Sequence, residues 1–194
     1  MIINHDPEFV ITLQRVIEFI GTFAFALSGI RLAASKHYDW LGGFVCGIAV
    51  AIGGGTIRDV MLGIRPFWML SPIYMICTLF AQCVVIVCHH YLRRLDTTWF
   101  LFDTLGLALF NIAGIQKTLE CGFPFWVAII MGCITGAAGG VIRDVLLNEE
   151  PVIFRREIYA MACVVGGLTY WLLSWLQVSL YITVIATFAI VCAI

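Results

Sequence analysis

Long apolar segments recur along the whole sequence, and they restrict the fold more than any other feature. A largely apolar segment of about 18 or more residues is long enough to cross the hydrocarbon core of a bilayer as a helix. The composition agrees, because 62% of the 194 residues are hydrophobic and only 12% are charged. A soluble domain carries about twice that share of charged residues. The sequence therefore predicts an all-α integral membrane protein.

The apolar pattern predicts seven transmembrane helices in a single transmembrane domain that occupies residues 1–194. We place the spans at residues 10–30, 40–62, 72–91, 99–115, 125–147, 158–175 and 178–194. The first segment has neither a basic leader nor a small-residue cleavage site, so we interpret it as a retained span rather than a signal peptide.

The distribution of basic residues favours one orientation of these spans. Short cytoplasmic loops of membrane proteins carry the excess of Lys and Arg. With the N-terminus outside, the inner loops hold Arg31, Lys36, Arg93, Arg94, Arg155 and Arg156, and the outer segments hold Arg15, Arg65 and Lys117. We therefore expect the N-terminus outside and the C-terminus in the cytoplasm.

The sequence repeats itself at an offset of 85 residues. The matched positions include Glu18 with Asp103, Phe25 with Phe110, Gly54-Gly55 with Gly139-Gly140, Ile57-Arg58-Asp59-Val60 with Ile142-Arg143-Asp144-Val145, and Tyr74 with Tyr159. Each copy contains three predicted spans, and an odd number requires the second copy to enter the membrane upside down. We predict two inverted three-helix repeats, over residues of about 10–92 and 98–176, plus one extra helix at about 178–194.

Each repeat places consecutive glycines inside an apolar span. They are Gly53, Gly54 and Gly55 in the first copy and Gly139 and Gly140 in the second. Each glycine weakens a helix by roughly 1 kcal/mol relative to alanine, and such a run permits a kink or an unwound turn. We expect spans 2 and 5 to be interrupted there, with Thr56 capping the helix that restarts. Close helix packing through small residues is the alternative explanation.

An Arg-Asp pair follows the glycines in each copy. The charged positions at membrane depth are Arg58, Asp59, Arg143, Asp144, Glu18 and Asp103. An ionised side chain at the bilayer centre costs about 3 kcal/mol, so each needs a partner. Sequence neighbours point about 100° apart on a helix, so we do not expect the Arg and Asp of one motif to pair. We predict instead that the four carboxylates hold the two arginines across a pseudo-two-fold axis.

These charges predict a preference for cations. Two arginines and four carboxylates sum to −2 if all are ionised, and a wet path lined by them would attract cations and repel anions. A buried ion-pair network that only fixes helix register is the alternative, and it does not exclude a nearby pore.

The repeated glycine–Arg-Asp motif resembles that of the trimeric intracellular cation channel family. Its two copies are Gly53-Gly54-Gly55-Thr56-Ile57-Arg58-Asp59 and Gly139-Gly140-Val141-Ile142-Arg143-Asp144. The similarity is to its prokaryotic branch, which is also described as a glycine transporter domain, and it covers essentially the whole chain. The second copy has only two glycines, and the lysine-containing signature of animal members is absent.

The resemblance implies a homotrimer in the inner (plasma) membrane, with one hourglass pore inside each protomer. It implies that bent second and fifth spans line the pore, with kinks at the five glycines and pore charges at both Arg-Asp pairs. It also implies permeation by potassium and by sodium. The predicted function is therefore a monovalent cation channel in the lipid bilayer, without a cofactor other than the permeant ions.

Two other classes of function are weighed against a channel. A secondary transporter for glycine or another small zwitterion is the main alternative, since broken helices and an arginine suit a carboxylate. An enzyme is not predicted, because the sequence offers no Ser-His pair, metal-ligand spacing or nucleophile elbow. The net charge of −1, without a basic stripe, predicts no nucleic-acid partner. We expect the eight cysteines to be reduced and no metal to be bound.

Overall fold

The computed structural model describes residues 7–88, 98–155 and 157–194. Within them the chain forms eight α-helices and one short 3-10 helix. In chain order these are α1 Pro7–Ser35, α2 Trp40–Met61, the 3-10 helix Phe67–Leu70, α3 Ile73–Val87, α4 Thr98–Glu120, α5 Phe125–Leu146, α6 Val152–Arg155, α7 Glu157–Trp175 and α8 Leu180–Ala193.

Five of these helices are long and apolar enough to cross a membrane, in agreement with an all-helical membrane protein. They are α1, α2, α4, α5 and α7, while α3 and α8 are apolar but shorter. The first span continues to Ser35, past its expected end before Arg31, because the Arg31 side chain is buried inside the protein. The predicted end of the third span, at residue 91, lies outside the described residues. So do three of the basic residues used to predict the orientation, Arg93, Arg94 and Arg156.

The helix ends recur at the same offset as the sequence motifs. Asp39 caps the start of α2, where its Oδ1 accepts a hydrogen bond from the Gly42 N–H at 2.7 Å. Beyond α2 and α5 the chain leaves the helical conformation at Gly63 (φ 71°) and Asn148 (φ 54°), which are 85 positions apart. Left-handed residues of this kind commonly terminate helices. The duplication therefore extends to the turns.

The centre of the molecule is the contact between α1 and α4, the two most enclosed spans. The rings of Phe25 and Phe110 stack with centroids 5.3 Å apart and planes at 16°. Phe110 covers Gly21, and Phe25 covers Gly106. Each of these contacts is the repeat equivalent of the other, which is the reciprocal relationship that a two-fold axis produces. The helices α2 and α5 lie against this centre and against each other.

Two buried arginine clusters and the glycine contact between helices

A buried cluster surrounds Arg58 and joins α1, α2 and α3; we call it the Arg58 cluster. Arg58 Nη2 lies 2.8 Å from Glu18 Oε1, and Arg58 Nε donates to Asp59 Oδ1 at 2.7 Å. The Tyr74 hydroxyl donates to Glu18 Oε2 at 3.3 Å. The second oxygen of Asp59 accepts the backbone N–H of Phe67 at 2.7 Å, which fastens the 3-10 helix to the end of α2.

The second repeat builds the same arrangement around Arg143; we call it the Arg143 cluster. Arg143 Nη1 lies 2.5 Å from Asp103 Oδ1, and Arg143 Nε donates to Asp144 Oδ1 at 2.8 Å. The Tyr159 hydroxyl donates to Asp103 Oδ2 at 2.8 Å. The other oxygen of Asp144 accepts the N–H of Val152, the first residue of α6, at 3.0 Å. Every member stands 85 positions after its counterpart in the Arg58 cluster.

Two predictions about these charges are wrong. Each arginine donates its Nε–H to the aspartate next to it in the sequence, and the following segment holds that carboxylate in place by donating a backbone N–H to its other oxygen. Each arginine is also held by carboxylates of its own repeat, and not by those of the other repeat across the pseudo-two-fold axis. The carboxylate of α1 or α4 is nearer because each repeat folds its first helix against its second.

Both clusters are enclosed by protein. The side chains of Arg58, Arg143 and Asp103 are 0% exposed. Each cluster holds one guanidinium and two carboxylates, and hence a charge of −1 when all three are ionised. Short charge-assisted hydrogen bonds offset the cost of burying these charges. Removing one partner leaves an uncompensated buried charge, and therefore destabilises the folded state far more than the net contribution of an average salt bridge would suggest. The structure thus contains the buried ion-pair network that the sequence offered as an alternative; lining of a pore by these residues remains a prediction.

The expected interruption of spans 2 and 5 is wrong in one respect: α2 and α5 are continuous through their glycines, without an unwound turn. Thr56 does not cap a restarting helix. Its hydroxyl donates to the Ile52 carbonyl one turn back at 2.7 Å and accepts the Trp68 indole N–H at 3.0 Å. Continuity has a clear physical reason, because each backbone hydrogen bond broken at membrane depth must be replaced by another partner.

The glycines instead allow helices to approach each other at the backbone. A methyl group added at Gly54 would collide with the Thr135 carbonyl oxygen of α5. One added at Gly139 would lie 2.9 Å from the Val50 carbonyl oxygen of α2. No side chain larger than hydrogen fits between these backbones without shifting them. This is the small-residue packing that the sequence left open as the alternative.

The other motif glycines make room for side chains. Gly53 receives Ile142 and Gly55 receives the ring of Phe67, while a methyl group at Gly140 would lie 2.7 Å from the Tyr159 hydroxyl. The last two contacts place glycines directly beside the two arginine clusters.

Sequence reasoning missed several parts of these clusters. The repeat relates Tyr74 to Tyr159 but does not show that they donate to the carboxylates; the available signal is the equal spacing of 56 residues between acid and tyrosine in both copies. The backbone donors at Phe67 and Val152 have no sequence signal. Among the residues that the structure describes, no group of three or more His, Cys, Asp or Glu side chains could hold a metal ion.

The family model described as Glycine transporter matches residues 15–90 and 100–175. Both ends of the second segment lie 85 positions after those of the first, which agrees with the internal repeat. The UPF0126 inner membrane protein YadS of Escherichia coli is 41% identical over 157 residues, which are 79% of this chain and 75% of YadS. The UPF0126 membrane protein YvgT of Bacillus subtilis is 33% identical over 181 residues, or 92% and 89% of the two chains.

Solved structures give the same result. The chain resembles the TRIC trimeric intracellular cation channel orthologue from Rhodobacter sphaeroides with a TM-score of 0.86 and 31% identity, over 94% of both chains. It resembles a prokaryotic TRIC channel crystallised in 0.5 M KCl with a TM-score of 0.87 and 25% identity, over 94% of this chain and 93% of the other. These relatives are ion channels, which confirms that the protein is not an enzyme. The chain therefore belongs to the trimeric intracellular cation (TRIC) channel family.

Proposed function

We propose that this protein is a channel for monovalent cations, chiefly potassium and also sodium. The observation that carries the proposal is the pair of acid-rich arginine clusters on α2 and α5, in a chain that superposes on solved cation channels. The two clusters together contain two guanidinium groups and four carboxylates, so their total charge is −2 when all are ionised. A negative field at membrane depth favours cations over anions along any adjacent water-filled path.

The path is proposed to run through each protomer, between α2 and α5. These helices meet at Gly54 and Gly139, where no side chain stands between the two backbones. One turn further along each helix stand Arg58 and Arg143 with their carboxylates. Because the backbones are in contact here, ions would pass when α2 and α5 separate or bend at the glycines. Asp59 and Asp144, with Glu18 and Asp103, would then supply the negative field of the pore.

The proposed architecture is a single transmembrane domain of seven spans, arranged as two inverted three-helix repeats and an additional helix α8. The equal offset of the two matched segments and the reciprocal stacking of Phe25 and Phe110 support it. We place the N-terminus outside and the C-terminus in the cytoplasm, in an inner membrane like that of YadS. We propose a homotrimer, since the similar Rhodobacter sphaeroides protein is described as trimeric.

Planar bilayer recordings test the channel. Purified protein should give unitary potassium currents that reverse near the potassium equilibrium potential. Asp59→Asn and Asp144→Asn should each lower the potassium-to-chloride permeability ratio, because each removes a negative charge while preserving the shape of the side chain. Glu150→Gln is the matched control, since Glu150 is an exposed acid that pairs with Arg155 outside the spans. Saturable flux that never resolves into channel steps would exclude a channel.

The oligomeric state and topology need separate measurements. Native mass spectrometry from detergent should give a complex of three protomers. Cysteine labelling from either side of a sealed vesicle, at positions in the loops after α1 and α4, should place these two loops on opposite faces. A monomer or dimer, or labelling of both loops from the same side, would contradict the proposed assembly or the inverted repeat respectively.

Transport of glycine or another small zwitterion is the second candidate, and the family's description as a glycine transporter favours it. Three nitrogens of the Arg143 guanidinium already contact protein oxygens, which leaves it poorly suited to clamp a substrate carboxylate. Labelled-glycine uptake into proteoliposomes separates the two functions. Uptake above that of empty liposomes, without resolvable current, would favour the transporter.

A further inference from the structure

The helices α5 and α7 pack antiparallel, in a register that two contacts define. Ile129 of α5 occupies the space beside Gly167 of α7, where its Cγ2 would lie 2.9 Å from an added methyl group. Further along the contact, Gly140 of α5 lies beside the Tyr159 hydroxyl of α7. Residue numbers thus rise along α5 while they fall along α7. Because Gly167 has no side chain, the two helices can approach each other closely at this level.

One helical turn from the Ile129–Gly167 contact, each helix carries a cysteine. Cys133 stands four residues after Ile129, and Cys163 stands four residues before Gly167. Residues four apart lie on the same face of a helix, so the register sets these two cysteines opposite each other. Their thiols are hydrogen-bonded to each other. Cys163 is fully buried and Cys133 is half-buried, and both pack in the same apolar cluster.

This pair differs from the other two buried cysteines of the protein. The thiols of Cys46 and Cys77 donate to backbone carbonyls of α1, each at 3.7 Å, rather than to a second sulfur. The first repeat has no pair at the equivalent positions either, because Ile48 and Thr78 stand 85 residues before Cys133 and Cys163. The contact of the two thiols is therefore a feature of the second repeat without a counterpart at the matching positions of the first.

We infer that Cys133 and Cys163 form a redox-sensitive dithiol, which hydrogen peroxide oxidises to a disulfide between α5 and α7. Peroxide first reaches the half-buried Cys133 thiol, which gives its sulfenic acid and one water molecule. The Cys163 sulfur then attacks the Cys133 sulfur, and the departing hydroxide takes up the Cys163 proton as a second water molecule. Two electrons pass from the sulfurs to one peroxide, and no net proton is released. The reaction therefore leaves no charge in the apolar interior.

The disulfide would join α5 to a helix on the side away from α2. An S–S bond is about 2 Å long, shorter than any non-bonded contact, so it fixes the local separation of the two helices that carry it. In the proposed channel, ions pass when α2 and α5 separate or bend, and the bond would restrain one of these two helices. Only this consequence rests on the proposed function, since the disulfide forms whichever solute the protein conducts.

Oxidation of the full-length protein in lipid vesicles tests the inference. After treatment with hydrogen peroxide, the remaining thiols are blocked in denaturant and the chain is digested. Mass spectrometry should then find the peptides of Cys133 and Cys163 joined in most of the protein, lighter by two hydrogen atoms, and dithiothreitol should separate them. Cys46→Ser, at a buried thiol that contacts a carbonyl, is the matched control and should leave the link intact. Peroxide that oxidises the exposed Cys83 but leaves Cys133 and Cys163 unlinked would overturn the inference.

Two variants distinguish a paired dithiol from general sensitivity to peroxide. Cys163→Ala removes the resolving thiol, so Cys133 should accumulate as a sulfenic acid that a cyclic diketone reagent traps. Cys163→Ala combined with Ala162→Cys keeps the number of thiols but moves one of them about 100° around α7, and it should form no link to Cys133. A link of undiminished yield in the folded double variant, or no trapped sulfenic acid in folded Cys163→Ala, would contradict the inference. The measurement on the unmodified protein stands whether or not these variants fold.

Discussion

Glu18 and Arg58 are 40 residues apart in the sequence, and their side chains meet at 2.8 Å inside the protein. This ion pair joins α1 to α2 at a depth where neither group has ready access to water. Asp103 and Arg143 join α4 to α5 in the same way. Each repeat therefore has its first two helices connected by a buried charge pair, and the stability of the fold should respond sharply to the loss of either member.

Removal of the acid should destabilise the protein strongly. Glu18→Ala leaves Arg58 with Asp59 as its remaining charge partner, and breaking a buried pair costs about 3–5 kcal/mol. We expect a loss of that size in the free energy of unfolding, measured by titration of mixed micelles with a denaturing detergent. Glu150→Ala, which removes an exposed acid, should change it little. A loss below about 1 kcal/mol for Glu18→Ala would show that the pair is not a significant source of stability.

The two tyrosines should differ in their contribution to stability. Tyr159→Phe removes a 2.8 Å hydrogen bond to a fully buried carboxylate, and hydrogen bonds to charged groups contribute about 1.5–3 kcal/mol. Tyr74→Phe removes a bond of 3.3 Å to Glu18, so its effect should be smaller, about 1 kcal/mol. The same unfolding measurement on both variants compares them directly, each serving as the control for the other. The reverse order would show that the shorter hydrogen bond, at Tyr159, is not the stronger one.

Adding a methyl group to the α2–α5 contact should force the two helices apart. Gly54→Ala meets the Thr135 carbonyl oxygen, which belongs to the backbone and cannot rotate away, so we expect a loss of about 1–3 kcal/mol. Gly43→Ala in the same helix is the matched control, because its nearest neighbour is the flexible end of Gln82 at 3.8 Å. There the gain in helix propensity should leave stability equal or higher. The midpoints of thermal unfolding of the two variants measure this difference. Equal midpoints would argue against close packing at Gly54.

An ion pair between the loop after α1 and the loop after α5 has a response to pH that can be measured. Lys36 forms an ion pair with Glu149, and this partner holds the pKa of the Glu149 carboxyl below its ordinary value. A carboxylate with a lowered pKa stabilises the folded state above its unfolded pKa, and that contribution disappears as the pH falls through the folded pKa. Lys36→Gln should therefore raise the pKa of Glu149, observed by NMR titration of the side chain. Lys117→Gln is the control, because it alters a pair with Glu120 and should leave the pKa of Glu149 unchanged. An equal rise of the Glu149 pKa in both variants would exclude the Lys36 contact as the cause.

Much of the fold follows from two sequence properties. Apolar length places the major helices to within a few residues, as at α2, α5 and α7. The repeat indicates that Glu18, Arg58 and their equivalents offset the cost of burying one another's charge. Charges that recur together at membrane depth must compensate one another. Pairing within a repeat was not predictable, since it depends on which helix faces which, and that is fixed by packing of apolar surfaces such as the one around Phe25 and Phe110.

The glycine motif shows where sequence reasoning reaches its limit. Propensity alone cannot distinguish a broken helix from a closely packed one, because glycine permits both. The deciding group is the Thr135 carbonyl oxygen, a backbone atom some eighty residues away that carries no side-chain signature. Likewise, the sequence shows that Asp59 follows Arg58, but not that the Phe67 N–H donates to one of its oxygens and holds the carboxylate in place. Both contacts depend on tertiary packing rather than on local preference.

The backbone contact between α2 and α5 also determines how these helices can move. Elsewhere in the core, interlocked side chains such as Phe25 and Phe110 must change rotamer before neighbouring helices can slip past each other. At the α2–α5 contact, Gly54 and Gly139 place the two backbones against each other, and Ile142 of α5 fills the space at Gly53 of α2. The ion pairs of Arg58 and Arg143 instead connect α2 to α1 and α5 to α4. A displacement of α2 relative to α5 therefore either carries the first helix of each repeat along with it or breaks a buried ion pair.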